Sequence, residues 1–160
     1  MGYRSTIVEL AEWWADPGEW RPSAQDLVDF FKYVGAEAWP SIKEAQEALQ
    51  YRDTGVKVNG AVKHWCGVFG CYIMREAGLN TAKWTLYGGK IKNIQIVWGN
   101  SGMQPGDLAM ITSGNHHFIV TDVDYSTKTM HTVEGNTSGQ FIRARTRKTT
   151  EPYAYYRIPA

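Results

Sequence analysis

The feature that most constrains the fold is the place where hydrophobic periodicity changes. Up to Gly78 the apolar residues recur at helical spacing, and from Asp107 onwards they fall in short runs separated by Gly, Asn, Asp and Ser. Helices first and antiparallel strands second predict an α+β domain in which a helix packs on a strongly curved sheet. The helical part has its own punctuation. Residues 5–15 form a first helix and stop at Asp16, Pro17 and Gly18. Ser23 caps a second, with Asp26 three residues on and Leu27, Phe30, Phe31 and Val34 on one face before Gly35. Ser41 and Glu44 give the capping-box signature for a third, which carries Ile42, Ala45, Ala48 and Leu49 and stops near Tyr51.

Residues 52–63 contain Gly55 and Gly60 among polar neighbours and are read as a loop. A fourth helix over residues 66–77 buries Val68, Phe69, Tyr72 and Ile73, with Gly78 as its left-handed stop. Residues 80–101 show little periodicity beyond Ile94, Ile96, Val97 and Trp98. Strands are expected at 107–112, 116–124, 129–134, 140–146 and 153–158. A chain of 160 residues suits one domain, with N-terminal helices over 1–51 and a core over 64–158.

The position of Cys66 at the mouth of the fourth helix gives this framework a chemical meaning. Unpaired amides and the positive end of the helix dipole favour a thiolate there, which makes Cys66 a candidate nucleophile. Cys71 lies five residues on, about 140° around and about 7.5 Å along the same helix, so the two cannot form a disulfide without breaking it. Cys71 is read as core packing.

A thiol nucleophile needs an imidazole base, a group to hold that imidazole, and donors for an oxyanion. Gly67 and Gly70 leave the helix surface open for a strand to bring a histidine close. His116 and His117 begin the strand HHFIVTDVD. Glu134 and Asn136, in VEGNTSG, share side-chain parity on an extended chain, so either can orient the ring from the neighbouring strand. Adjacent strand residues face opposite sides, which implies that only one of the two imidazoles meets the sulfur. The backbone amide of Cys66 is the first oxyanion donor.

The strings WCGVF, YIMREAGL, PGDLAMI, HHFIVTDVD and VEGNTSG, followed by an arginine-rich strand, together resemble a CHAP or NlpC-like cysteine peptidase of the papain-like superfamily. The resemblance spans residues 65–147, about half the chain. It implies a papain-like fold, cleavage of amide bonds in bacterial peptidoglycan, and no cofactor. It gives Cys66 the role of nucleophile, His116 or His117 that of base, and Glu134 or Asn136 that of orienting group. The register of Ile119, Val120, Thr121 and Val123 favours His116. The doubled histidine, with Phe118 near the position where the family has a small residue, departs from the family pattern.

Other readings stand beside this one. The same residues serve protein glutamine deamidases and transglutaminase-type toxins, and the aromatic-rich fold also suits a non-catalytic wall-binding module. Adjacent strand histidines diverge and no other ligand sits at zinc spacing, so metal binding is not expected. His64 and His131 are read as surface or packing residues, with His64 close enough to Cys66 to reach a cleft. Arg143, Arg145 and Arg147 share one strand face and are read as solvated. Of Trp13, Trp14, Trp20, Trp39, Trp84 and Trp98, most are expected in the core, and Asp107 is read as a structural turn residue.

Seventeen basic against 16 acidic side chains give a net charge of +1, which argues against a nucleic-acid partner. No signal peptide is expected at the N-terminus and no run reaches the ~20 apolar residues of a membrane span. The expectation is a monomer made in the cytoplasm that acts on wall peptide in the periplasm or at the cell wall. It would be released as a phage lysin or delivered as a secreted antibacterial toxin, the latter with an immunity protein as partner.

Overall fold

Reciprocal capping starts the second and third helices. The Ser23 hydroxyl accepts from the amide of Asp26 at 3.0 Å while the Asp26 carboxylate accepts from the amide of Ser23 at 2.9 Å. Ser41 and Glu44 repeat the exchange at 3.1 and 3.0 Å. Each box satisfies amides that the helix itself cannot. The computed structural model describes residues 2–51, 55–86, 88–111 and 116–160. Its helices are α1 (Tyr3–Ala15), α2 (Ala24–Tyr33), α3 (Ile42–Tyr51) and α4 (Cys66–Glu76).

The strands are β1 (Glu19–Trp20), β2 (Val56–Val58), β3 (Ala61–Lys63), β4 (Trp84–Thr85), β5 (Lys90–Ile91), β6 (Ile96–Trp98), β7 (Leu108–Ile111), β8 (His116–Asp124), β9 (Thr129–Thr137), β10 (Phe141–Lys148) and β11 (Ala154–Tyr156). Seven of them make one antiparallel sheet in the order β1-β10-β9-β8-β7-β11-β6, so the fold is α+β. Among the described residues no helix is long and apolar enough to cross a membrane.

Three local readings change. Within the expected loop at 52–63, residues 52–54 lie outside the described residues, but β2 and β3 pair as a hairpin. Asn59 and Gly60 form its turn with φ of 52° and 81°, the left-handed pair whose twist matches flanking strands. The Gly60 amide also donates to Glu44 at 3.2 Å, tying the hairpin to the start of α3. Second, β1 adds an unforeseen edge strand beside β10. Third, β9 continues through Glu134 and Gly135 to Thr137. Thr112, the expected end of the 107–112 strand, lies outside the described residues.

The sheet carries apolar residues on both faces. Leu108, Met110, Ile119, Val133 and Tyr156 join the helices in the larger core cluster, whereas Ala109, Phe118, Val120, Met130 and Tyr155 form a second cluster on the opposite face. Helix α4 is buried nearly all round and lies against β8 and β9. A Cβ at Gly70 would stand 2.5 Å from the Leu108 side chain, so this face of α4 reaches the sheet only without one. That approach brings the first residue of α4 to the first residues of β8.

Candidate active site

Cys66 is the first residue of α4 and is almost fully buried. Its sulfur sits level with the backbone at the start of β8. The amide of His117 donates to Sγ at 3.4 Å, and the Nδ1 of the same residue lies 4.0 Å from it. The charge of the sulfur is also coupled to the His116 ring. The ring with a direct contact to Cys66 is thus that of His117, whereas His116, which the register favoured, acts on the sulfur through its charge and reaches Glu134. Alternation separates two rings across the faces of a strand, but a group placed at the strand's end and in the plane of its backbone is coupled to both.

The two histidines differ in what lies behind them. His116 Nε2 is 2.7 Å from Oε1 of Glu134. Glu134 is fully buried and holds three further bonds: Arg147 Nε donates to Oε2 at 2.6 Å, Arg147 Nη2 to Oε1 at 2.7 Å, and the Thr132 hydroxyl to Oε2 at 2.6 Å. Burial pushes this carboxyl up, yet the bonds from Arg147, His116 and Thr132 outweigh it and hold the pKa at about 2. The same balance runs along the row. Burial opposes charge on His116, but its bonds to Cys66 and Glu134 raise it to about 9. Burial likewise opposes the thiolate, but hydrogen bonds from His116 and His117 lower Cys66 to about 5. Together these shifts favour a thiolate–imidazolium pair braced by a buried carboxylate.

Asn136 goes elsewhere. Opposite Ile142, β9 carries an extra residue, because Thr137 pairs with Phe141 and Glu134 with Arg143. This bulge gives Asn136 a φ of 55° and breaks the parity that would place it beside Glu134. Its Nδ2 instead lies 3.2 Å from Nδ1 of His64. Glu134 is thus the residue at His116, and Asn136 the one at His64.

The arginine strand also departs from its expected role. Arg143 pairs with Glu19 at 2.8 Å and Arg145 is half exposed, 3.9 Å from Glu134, but Arg147 turns inward and stacks over Phe118 at 4.9 Å. Arg147 and Thr132 are the site residues that sequence reasoning missed. The available signal was a basic residue alternating on the strand next to a candidate buried acid.

A cleft of about 440 Å³ opens on the His117 side of the sulfur, lined by Cys66, Gly67, His117, His64, Trp84 and Lys90 among others. His117 is 2% exposed and its ring meets Trp84 edge-on, with centroids 5.3 Å apart. A Cβ at Gly67 would collide with the Trp84 ring and stand 3.1 Å from His117 Nδ1, so that glycine admits both rings. Trp98 also lines the cleft and is 75% exposed. Trp13, Trp20 and Trp39 are exposed too, so most of the tryptophans assigned to the core lie at the surface. Cys71 is fully buried against Thr81, and burial pushes its thiol up. Buried Asp107 bonds Arg4 and the amides of Gln104 and Ile158. His131 rests on Thr146. Among the described residues no group of three or more His, Cys, Asp or Glu side chains could hold a metal ion.

Comparison with protein families, with characterised proteins and with solved structures finds no match.

Proposed function

We propose that this chain is a cysteine-dependent hydrolase, of the CHAP or NlpC-like kind within the papain-like superfamily, that cleaves amide bonds in the peptide part of bacterial peptidoglycan. The observation that carries the reading is the buried Cys66 at the start of α4, with His117 Nδ1 4.0 Å from its sulfur and the neighbouring His116 held by buried Glu134 and Arg147. Such an arrangement suits acyl transfer. The thiolate attacks the amide carbonyl, the carbonyl π pair moves to oxygen, and the first intermediate forms. As the C–N bond breaks, the His116 imidazolium gives its proton to the leaving amine. His116, now neutral, takes a proton from the water that releases the acyl group.

The cleft supports a peptide that bears carboxylates. It presents Lys63, His64 and Lys90, and no Asp or Glu stands among its described lining residues. Trp84 and Trp98 offer it apolar faces. Action at the cell wall, as a phage lysin or a secreted toxin with an immunity protein, completes the proposal.

Digestion of purified peptidoglycan, followed by mass spectrometry of the soluble muropeptides, tests it. Wild-type protein is expected to release fragments with new amine and carboxyl ends, and Cys66→Ala to release none. No new fragments from wild type, or a mass gain of about 1 Da on a protein glutamine in their place, would overturn the substrate assignment.

A further inference from the structure

The second imidazole is not bound to Glu134, yet its Nδ1 stands 4.0 Å from the sulfur. His117 is 2% exposed and its Nε2 is buried with no hydrogen-bond partner among the described residues. Its Nδ1 faces Sγ at 4.0 Å across the wall of the cleft. Trp84 meets the ring edge-on, and a Cβ at Gly67 would stand 3.1 Å from Nδ1. A ring packed this tightly is held for one orientation.

Its tautomer follows from its neighbours. A lone pair on Nδ1 would face the thiolate and be repelled, whereas an N–H there donates to it. An N–H on Nδ1 is thus the arrangement that suits the sulfur.

We infer that His117 is an oxyanion donor, a catalytic residue distinct from the base: its Nδ1–H hydrogen-bonds the oxygen that becomes negative when Cys66 acylates. In a tetrahedral adduct the oxygen lies about 2.6 Å from sulfur, so a donor fixed 4.0 Å from Sγ on the cleft side can reach hydrogen-bond distance of it. No proton leaves His117 at any step. The C–S bond forms as the carbonyl π pair moves to oxygen, His117 and the amide of Cys66 donate to that oxygen, and the pair returns as the C–N bond breaks. This rests on the acyl-transfer chemistry proposed above but not on the substrate.

The test separates acylation from alkylation. Iodoacetamide alkylates Cys66 by displacement at carbon and forms no oxyanion, whereas p-nitrophenyl acetate acylates it through one. His117→Leu removes the donor, and His117→Asn places an amide N–H near the former Nδ1. His117→Leu is expected to slow the p-nitrophenolate burst roughly 10²–10³-fold while alkylation at pH 7 changes only a few-fold, and His117→Asn to regain most of the burst. Equal losses of burst and alkylation in His117→Leu, or a wild-type burst in that variant, would overturn the inference, as would the absence of a wild-type burst. A normal wild-type burst without peptidoglycan cleavage leaves the donor role standing and removes only the substrate proposal. If His117→Asn loses the burst while His116→Asn keeps it, His117 is the base and the inference fails.

Discussion

At the scale of single residues, the charge state of Cys66 and His116 determines when the site can act. Cys66 falls from 9.0 to about 5, so the stability it contributes is complete above pH 9 and is lost as pH falls through about 5. His116 rises from 6.5 to about 9, so its contribution is complete below pH 6.5 and is lost as pH climbs through about 9. Both members are charged between these limits. Glu134 at about 2 stays ionised throughout. The expected kcat/KM profile is therefore a plateau with an acid limb near pH 5 and an alkaline limb near pH 9. Glu134→Gln keeps a hydrogen bond but removes the charge behind His116, and should draw the alkaline limb down towards neutrality. Alkylation of Cys66 with a midpoint near pH 9 in wild type would show that no ion pair exists.

At the scale of elements, the site is built by three adjacent strands, and their ties are as important as the catalytic groups. Glu134 on β9 is buried between His116 on β8 and Arg147 on β10, so removing Arg147 leaves a buried carboxylate short of two bonds. Arg147→Met should cost about 3–5 kcal/mol in urea denaturation and lower turnover by releasing Glu134 from His116. Adding Glu134→Gln to that variant should recover part of the stability but not the turnover, since it removes the charge behind His116. Equal stability of Arg147→Met and wild type would show that Glu134 does not need the guanidinium. Periodicity was enough to place α2, α3, α4 and β8, because Ser23, Ser41 and Gly78 mark ends and the apolar spacing marks faces. Together with the place of Cys66 at a helix start, it brought Cys66, His116 or His117, and Glu134 or Asn136 into one proposal, with the choice within each pair open. The bulge at Gly135–Asn136 could not be seen that way: an extra residue shifts parity without changing composition, and only pairing with β10 reveals it. Arg147 was misread for a related reason, since a strand face alternates identically whether it meets solvent or a buried acid. The Asn59–Gly60 turn was legible as a hairpin signal, but its short flanking runs read as loop.

At the scale of the whole molecule, α1 joins the catalytic core and is no appendage to it. Ile7, Ala11 and Ala15 are buried, and the helix packs on α4 and across β8 and β10, over the elements that hold the site. Its first turn is tied to the far end of the chain. Arg4 pairs with buried Asp107 at 2.7 Å and donates to the carbonyls of Pro105 and Ile158, and Asp107 also accepts the Ile158 amide at 3.0 Å. The entry to β7, the C-terminal segment and the N-terminal helix thus meet at one carboxylate. Arg4→Met leaves that charge buried with two amide bonds, and an expected loss of about 3 kcal/mol is measurable by tryptophan fluorescence in urea. Removing residues 1–18 should do more. It exposes the apolar surface of α4 together with its sheet contacts, so residues 19–160 are expected to lose the cooperative transition and the fast alkylation of Cys66. A truncated chain that unfolds cooperatively and keeps its reactive thiolate would show that the strands and α4 suffice. Residues 1–51 would then be an accessory to the core rather than one wall of it.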